Sequence, residues 1–158
     1  MPFWRLHRRP AAARPPIAGP VVVRPIGHVR NAVTRPRPRG WERVESEIVL
    51  APAHDAKAEG LAAYSHLIVV FYMDMAARAA ERPDRLTLPS GNVYGILATR
   101  SQLRPNHLGV SVVELRAMTG RVIRVRGLDA IDGTAVLDVK PYLPEYDARP
   151  HARTPAAP

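Results

Sequence analysis

From Val44 to Leu50 the chain alternates: Val44, Ser46, Ile48 and Leu50 fall on one side, Glu45, Glu47 and Val49 on the other. A period of two is the pattern of a half-buried strand. Ser65 to Tyr72 is a nearly continuous apolar run, rich in β-branched and aromatic residues, and predicts a central strand. Ile26–Val29 reads as a first short strand and Val93–Ala98 as a further buried one. Val110–Met118 and Val122–Arg126 flank Thr119-Gly120, a hairpin signal, and in the second arm Ile123 and Val125 oppose Arg124 and Arg126. Thr134–Val139 is the last strand, ended by Pro141. Helical patterning is scarce. Ala76–Glu81 favours a helix stopped near Pro83, and Asp55–Ala63 is a loop or one short helix. Thr34–Gly40, with Pro36, Pro38 and Gly40, must be a loop. The pattern predicts a mainly β chain: a compact single-domain β-barrel or strongly curved sheet of about six or seven strands with few short helices. Closure would remove exposed strand edges. No internal repeat is visible.

Composition sets the boundaries. Residues 1–24 are rich in Ala, Arg and Pro and lack apolar periodicity, so a disordered tail is expected there, a second one over 148–158, and the folded domain over 25–147. The net charge of +9 suggests nucleic acid until it is mapped. All 14 acids lie between Glu42 and Asp147, and residues 26–147 hold 16 basic residues against them, leaving +2. The other seven basic residues (Arg5, Arg8, Arg9, Arg14, Arg24, Arg149, Arg153) sit in the tails. A solvated flexible tail is the simpler reading of such a run; an RNA-attracting arm is the alternative. There are no cysteines, which removes disulfides, thiolate metal sites and Cys nucleophiles. No apolar run approaches the ~20 residues of a membrane span, and the prolines of the N-terminus interrupt any signal-peptide core. The expectation is a cytoplasmic protein. The six histidines show no metal-ligand spacing, and His66, inside an apolar strand, reads as structural. No glycine-rich dinucleotide or phosphate-binding motif is present.

The informative polar residues form two loops. Ala98–Gly109 joins two strands and holds Arg100, Arg104, Pro105 and Asn106, a set suited to something polar or anionic, or equally to a plain surface loop. Gly127–Thr134 brackets Ala130-Ile131 between Asp129 and Asp132. It reads as a turn capped by Asp or as an apolar shelf with backbone groups for a nucleobase. Asp138 and Lys140 share a face of the last strand and read as a structural ion pair.

At these residues a resemblance emerges. Gly95-Ile96-Leu97-Ala98-Thr99-Arg100-Ser101 runs on through Arg104-Pro105-Asn106, Leu108-Gly109-Val110-Ser111 and Val112-Val113-Glu114-Leu115. Gly127-Leu128-Asp129, Ile131-Asp132-Gly133-Thr134 and Val136–Tyr142 follow, after an earlier Tyr64–Phe71 and an opening Ile26-Gly27-His28-Val29. In this order they resemble the TrmO-like family of tRNA methyltransferases from about Ile26 to Tyr146. The resemblance implies a compact β-barrel binding S-adenosylmethionine (SAM) near a homodimer interface. It implies methyl transfer to N6 of threonylcarbamoyladenosine at position 37, in the anticodon loop of tRNA. By motif matching, Arg100, Val110, Leu128, Asp129, Ala130 and Ile131 would contact the cofactor, with Asp74 and Met75 at another family contact position. Arg104 and Asn106 would serve substrate contact or loop rigidity. No residue stands out as a catalytic base, and no metal is implied. The chain departs from the family pattern at Gln102 and His107, where Pro is usual, and at Asp74, where His is common; Arg35-Pro36-Arg37 is a loose counterpart of a Pro-Arg-Gln motif. His107 is a minor candidate for a part in the reaction. The departures keep two readings open: another acceptor, or a non-enzymatic RNA-binding barrel.

Overall fold

The computed structural model describes residues 15–79 and 81–155. Six strands close a barrel: β1 (Gly27–Arg30), β2 (Glu45–Leu50), β3 (His66–Tyr72), β6 (Leu108–Thr119), β7 (Val122–Arg126) and β8 (Ala135–Pro141). Around the barrel the order is β1-β2-β7-β6-β3-β8, antiparallel throughout, with β8 returning to β1. Two strands outside it, β4 (Arg85–Thr87) and β5 (Val93–Gly95), form a separate hairpin. The helices are single turns, α1 (Asp74–Ala77) and α2 (Pro144–Asp147), with 3-10 segments at Trp41–Arg43, Pro52–Ala58, Leu61–Ala63 and Ile96–Ala98.

The alternating positions point inward as the pattern requires. Val44, Ser46, Ile48 and Leu50 are buried, as are Leu67, Val69 and Phe71 on β3 and Ile123 and Val125 on β7. Bulges at Val70/Phe71 in the β3–β8 ladder and at Leu115/Ala117 between β6 and β7 supply the local bend that closure needs. Two glycines let backbones or rings approach where any side chain would collide. A Cβ on Gly27 would lie 2.4 Å from Val49 O, and one on Gly109 would lie 2.2 Å from Phe71 Cε2. On the outside, Glu47 of β2 ties three strands together by accepting from Arg30 of β1 and Arg124 of β7. Those two guanidiniums hold its carboxyl below the usual value, Arg30 contributing most, against a smaller opposing effect of burial. Asp138 and Lys140 pair at 2.5 Å.

The barrel expected from the pattern is present, and three local expectations are corrected. Val93–Ala98 is not a buried strand. Its first half belongs to the outlying hairpin, with Val93 57% exposed, and its second half is a 3-10 turn in which only Ile96 is buried. A short apolar run carries no sign of which sheet it joins, so β4 was not anticipated either. The helix near Ala76–Glu81 begins earlier, at Asp74, and lasts one turn; Arg82 donates to Ala77 O at 2.6 Å, taking the acceptor that the Glu81 N–H would use in a longer helix. The last strand runs through Pro141, which needs no N–H there. Of the expected tails, residues 1–14 and 156–158 lie outside the described residues, as does Ala80 in the expected helix. Residues 15–24 form neither helix nor strand and are exposed.

Candidate functional site

One end of the barrel is built by strand ends and the loops that leave them. β3 ends in Phe71 and Tyr72 and runs through Met73 into α1. β6 begins at Leu108 after the 99–107 loop. The 127–134 loop leads from β7 to β8, and β1 runs out toward Asn31–Gly40.

The 99–107 loop is braced from within. Thr99 Oγ1 donates to Ile96 O and accepts from the Ser101 N–H, and Ser101 Oγ accepts from the Leu103 N–H. Arg104 donates to Thr99 O at 2.7 Å. Arg104 to His107 close a turn, and His107, 5% exposed, donates Nδ1–H to Gln102 O at 3.2 Å and sets its ring edge-on to Tyr72. His107 holds φ 50°, in the left-handed region. It is thus a buried brace, lining neither cavity described below. Asn106 is exposed at the tip of the same turn and also lines neither.

The 127–134 loop is pinned by Asn31. Its Nδ2 donates to Ser46 Oγ and to Ala130 O, both at 2.9 Å, while its backbone N–H donates to Asp132 Oδ1 at 3.1 Å. Asp132 therefore acts as a turn brace. The Asp129 N–H donates to Ser111 Oγ at 3.3 Å. Leu128 is fully buried in the core and lines neither of the cavities described below.

Two cavities open between these loops and meet at Phe71, Met73 and Asp129. The first, about 80 Å³, is mostly apolar and aromatic: Trp41, Met73, Met75, Ala76, Ala130 and Ile131 line it, with Asp74, Gln102, Thr134, Pro36 and Arg37. The second, about 220 Å³, is more polar, lined by Arg100, Arg104, Leu108, Gly109, Val110 and Asp129. Each is smaller than the ~300–1,000 Å³ of a usual ligand site, but joined they make one bent cleft with an apolar arm and a charged arm. Arg100 donates to Val110 O at 3.2 Å, and Arg100 and Asp129 face the charged arm without forming an ion pair. Burial of the Asp129 carboxyl against the cleft pushes its pKa up, and the nearby Arg100 guanidinium partly offsets this. Asp74 pairs with Arg78 at 3.2 Å.

Seven of the eight expected cofactor positions thus line this cleft; Leu128 is the exception. Of the two expected substrate positions, Arg104 lines the charged arm and Asn106 does not. Sequence reading missed Asn31 as the pin of the second loop and Trp41 as an aromatic wall. Trp41 Nε1 donates to Arg37 O at 2.9 Å, and the Arg37 guanidinium lies 5.0 Å from the centre of its ring. A lone Trp beside Gly40 in a Pro/Arg-rich loop was the available signal. Among the described residues no group of three or more His, Asp or Glu could hold a metal ion, and no helix is long and apolar enough to cross a membrane.

The family model of the tRNA-methyltransferase O N-terminal domain matches residues 29–148. A probable S-adenosyl-L-methionine-binding protein of Methanothermobacter thermautotrophicus is 37% identical over 80% of this chain and 93% of its own length. The tRNA (adenine(37)-N6)-methyltransferase of Escherichia coli is 40% identical over 66% of this chain. The solved structure of TrmO from Pseudomonas aeruginosa superposes with a TM-score of 0.71 at 31% identity over 89% of this chain. The chain spans 47% of the length of the E. coli relative and 64% of the P. aeruginosa chain. With three quarters of its length under that family model, the chain belongs to the tRNA-methyltransferase O N-terminal domain family.

Proposed function

We propose that this protein is a SAM-dependent methyltransferase that methylates N6 of threonylcarbamoyladenosine at position 37 of tRNA, in the cytoplasm and as a homodimer. The observation that carries the cofactor is the bent cleft, in which Arg100 and Asp129 face one arm with opposite, unpaired charges. A zwitterionic amino-acid group fits that pair: a carboxylate toward the Arg100 fork and an ammonium toward Asp129. The neighbouring apolar arm offers Met73, Met75, Ala130 and Ile131 to a flat base. SAM joins those two chemistries in one molecule, and when bound it supplies a methyl group already activated on a sulfonium.

The chain's own part is alignment and exclusion of water. Phe71, Met73 and Asp129 stand where the arms meet, two apolar walls and one carboxylate. Asn31 fixes Ala130 and with it the shelf under the base. Orientation of this kind contributes roughly 7–11 kcal/mol at best. The E. coli and human relatives are tRNA (adenine(37)-N6)-methyltransferases, which supports the acceptor. Exposed Leu108, Val110 and Val112 form an apolar strip on the outside of β6 that begins at the wall of the charged arm. A second copy covering that strip would seal the cleft, which supports the dimer.

Calorimetric titration with SAM tests the site: the wild type binds and Arg100→Ala loses at least tenfold in affinity. Absence of heat at high protein concentration, or an unaffected Arg100→Ala, refutes it. Mass spectrometry of tRNA nucleosides from a deletion strain tests the acceptor; unchanged methylated threonylcarbamoyladenosine refutes that part alone.

A further inference from the structure

Within residues 26–147 the small positive balance is not spread evenly. The stretch Thr34–Arg43 holds Arg35, Arg37, Arg39 and Arg43 against the single acid Glu42, or +3. The remaining 12 basic and 13 acidic residues of the domain give −1. The whole cationic excess of the folded domain therefore sits on one ten-residue segment, and that segment forms the rim of the apolar arm through Pro36, Arg37 and Trp41.

The segment is built to hold its shape. Pro36 and Pro38 fix two φ angles, Gly40 turns the chain at φ 85°, and Arg37 donates to Gly40 O at 2.7 Å while lying over Trp41. Arg37 is thereby committed. Arg35, Arg39 and Arg43 are exposed and, among the described residues, make no side-chain hydrogen bond or ion pair. Elsewhere on the domain Arg30 and Arg124 share the Glu47 carboxylate and Arg78 and Arg116 each pair with one, while Arg85 and Arg126 make no ion pair among the described residues but line neither arm of the cleft. Free arginines beside a half-buried aromatic, at the mouth of an apolar cavity, have the chemistry of a single-stranded nucleic-acid groove: guanidiniums for phosphates and a π-face for a base.

We propose that Arg35, Arg39 and Arg43 clamp the phosphates of the acceptor RNA loop, and that Trp41 stacks against a base of that loop at the cleft mouth. This rests on the reading that the acceptor is RNA. It places the RNA contact on the folded domain, at the cleft, and not on the arginines of the terminal segments.

The test measures binding of an unmodified anticodon stem-loop RNA across a salt series, for the wild type, R35Q/R39Q/R43Q, R35K/R39K/R43K and Trp41→Ala. SAM binding and melting temperature are followed in parallel. Three single-strand phosphate contacts contribute a slope of about 2 in log K against log salt. The Gln variant is expected to lose that slope and roughly ten- to hundredfold in affinity, the Lys variant to keep most of both, and Trp41→Ala to lose roughly tenfold. SAM binding by the two triple variants stays at the wild-type level. An unchanged slope in the Gln variant overturns the proposal. Wild-type protein that binds SAM but no RNA overturns it together with the RNA acceptor, whereas the expected RNA losses in a protein without SAM affinity uphold the clamp and refute the methyltransferase reading. Equal losses on anionic lipid vesicles, with RNA binding retained, overturn it in favour of a membrane surface.

Discussion

Gly109→Ala is the sharpest probe of how the barrel shapes the cleft. Gly109 lies opposite Phe71 in the β3–β6 ladder, and both residues line the charged arm. A methyl group at Gly109 would meet Phe71 Cε2 at 2.2 Å and Cζ at 2.3 Å, well inside contact distance. The ring is 3% exposed and packed in the core, so it can yield only by swinging toward the cleft or by spreading β3 from β6. Overpacking of this kind costs about 1–3 kcal/mol, a fall in Tm of roughly 3–12 °C for a domain of this size. Because the yielding ring stands at the junction of the two arms, SAM affinity falls with stability. The assay is a double-mutant cycle by thermal melting and calorimetry on wild type, Gly109→Ala, Phe71→Leu and the pair. Phe71→Leu alone leaves a void worth about 1–2 kcal/mol. In the pair the new methyl occupies part of that void, so the two effects must be strongly non-additive, with the pair no less stable than Gly109→Ala alone. Additive losses, or a Gly109→Ala protein that melts and binds like the wild type, would refute the reasoning.

Asn31→Ala removes the donors to Ser46 Oγ and Ala130 O; a loss of about 1–3 kcal/mol is expected in chemical denaturation, with weaker SAM binding because the Ala130 shelf loosens. Asp129 has a raised pKa in the fold, so its ionised form opposes folding, and that penalty sets in as pH rises through the folded carboxyl's range. Asp129→Asn should therefore melt at or above the wild-type temperature near neutral pH, with the gap closing in acid, while SAM affinity drops. A variant that is destabilised at neutral pH contradicts this. Glu47 is the opposite case: its pKa is lowered in the fold, so its contribution is present above the unfolded carboxyl's range and disappears as pH falls through the folded one. Glu47→Gln should flatten that part of the pH–stability curve, by an amount that shrinks with added salt. His107→Ala should lower Tm by loosening the 99–107 turn yet leave the pH profile of methyl transfer unchanged, since His107 lines neither arm of the cleft; a lost pH limb would give it a part in the chemistry.

The difference between what could and could not be read from the chain follows from the range of each interaction. Val44 to Leu50 and Ile123 to Val125 were legible because burial in a barrel is decided by the parity of a residue within its own strand, and parity is written locally. Asp132 was legible only as a turn residue of its loop; the partner it braces, the Asn31 N–H, lies 101 positions away. Val93 to Ala98 was misread because an apolar run carries no record of its partner, and here the partner was a three-residue strand with no periodic signal of its own. Asn31 was illegible for a stronger reason: its contacts reach Ser46 and residues about a hundred positions away, and only the closure of β1 onto β8 brings them together. Leu128 marks the limit of motif matching, since a residue can keep its place in a motif and still spend its side chain on the core. The charge argument shows the same limit from the other direction. A balance of +2 over residues 26–147 looks too weak to hold a polyanion. Folding makes the total irrelevant, because it pairs most arginines with carboxylates or carbonyls and sets three exposed, unpaired ones on the loop that reaches the cleft through Pro36, Arg37 and Trp41. What a ligand meets is the unpaired local charge within about a Debye length of the site, roughly 8–10 Å, and that quantity comes into existence only when the 34–43 loop is set beside the barrel mouth.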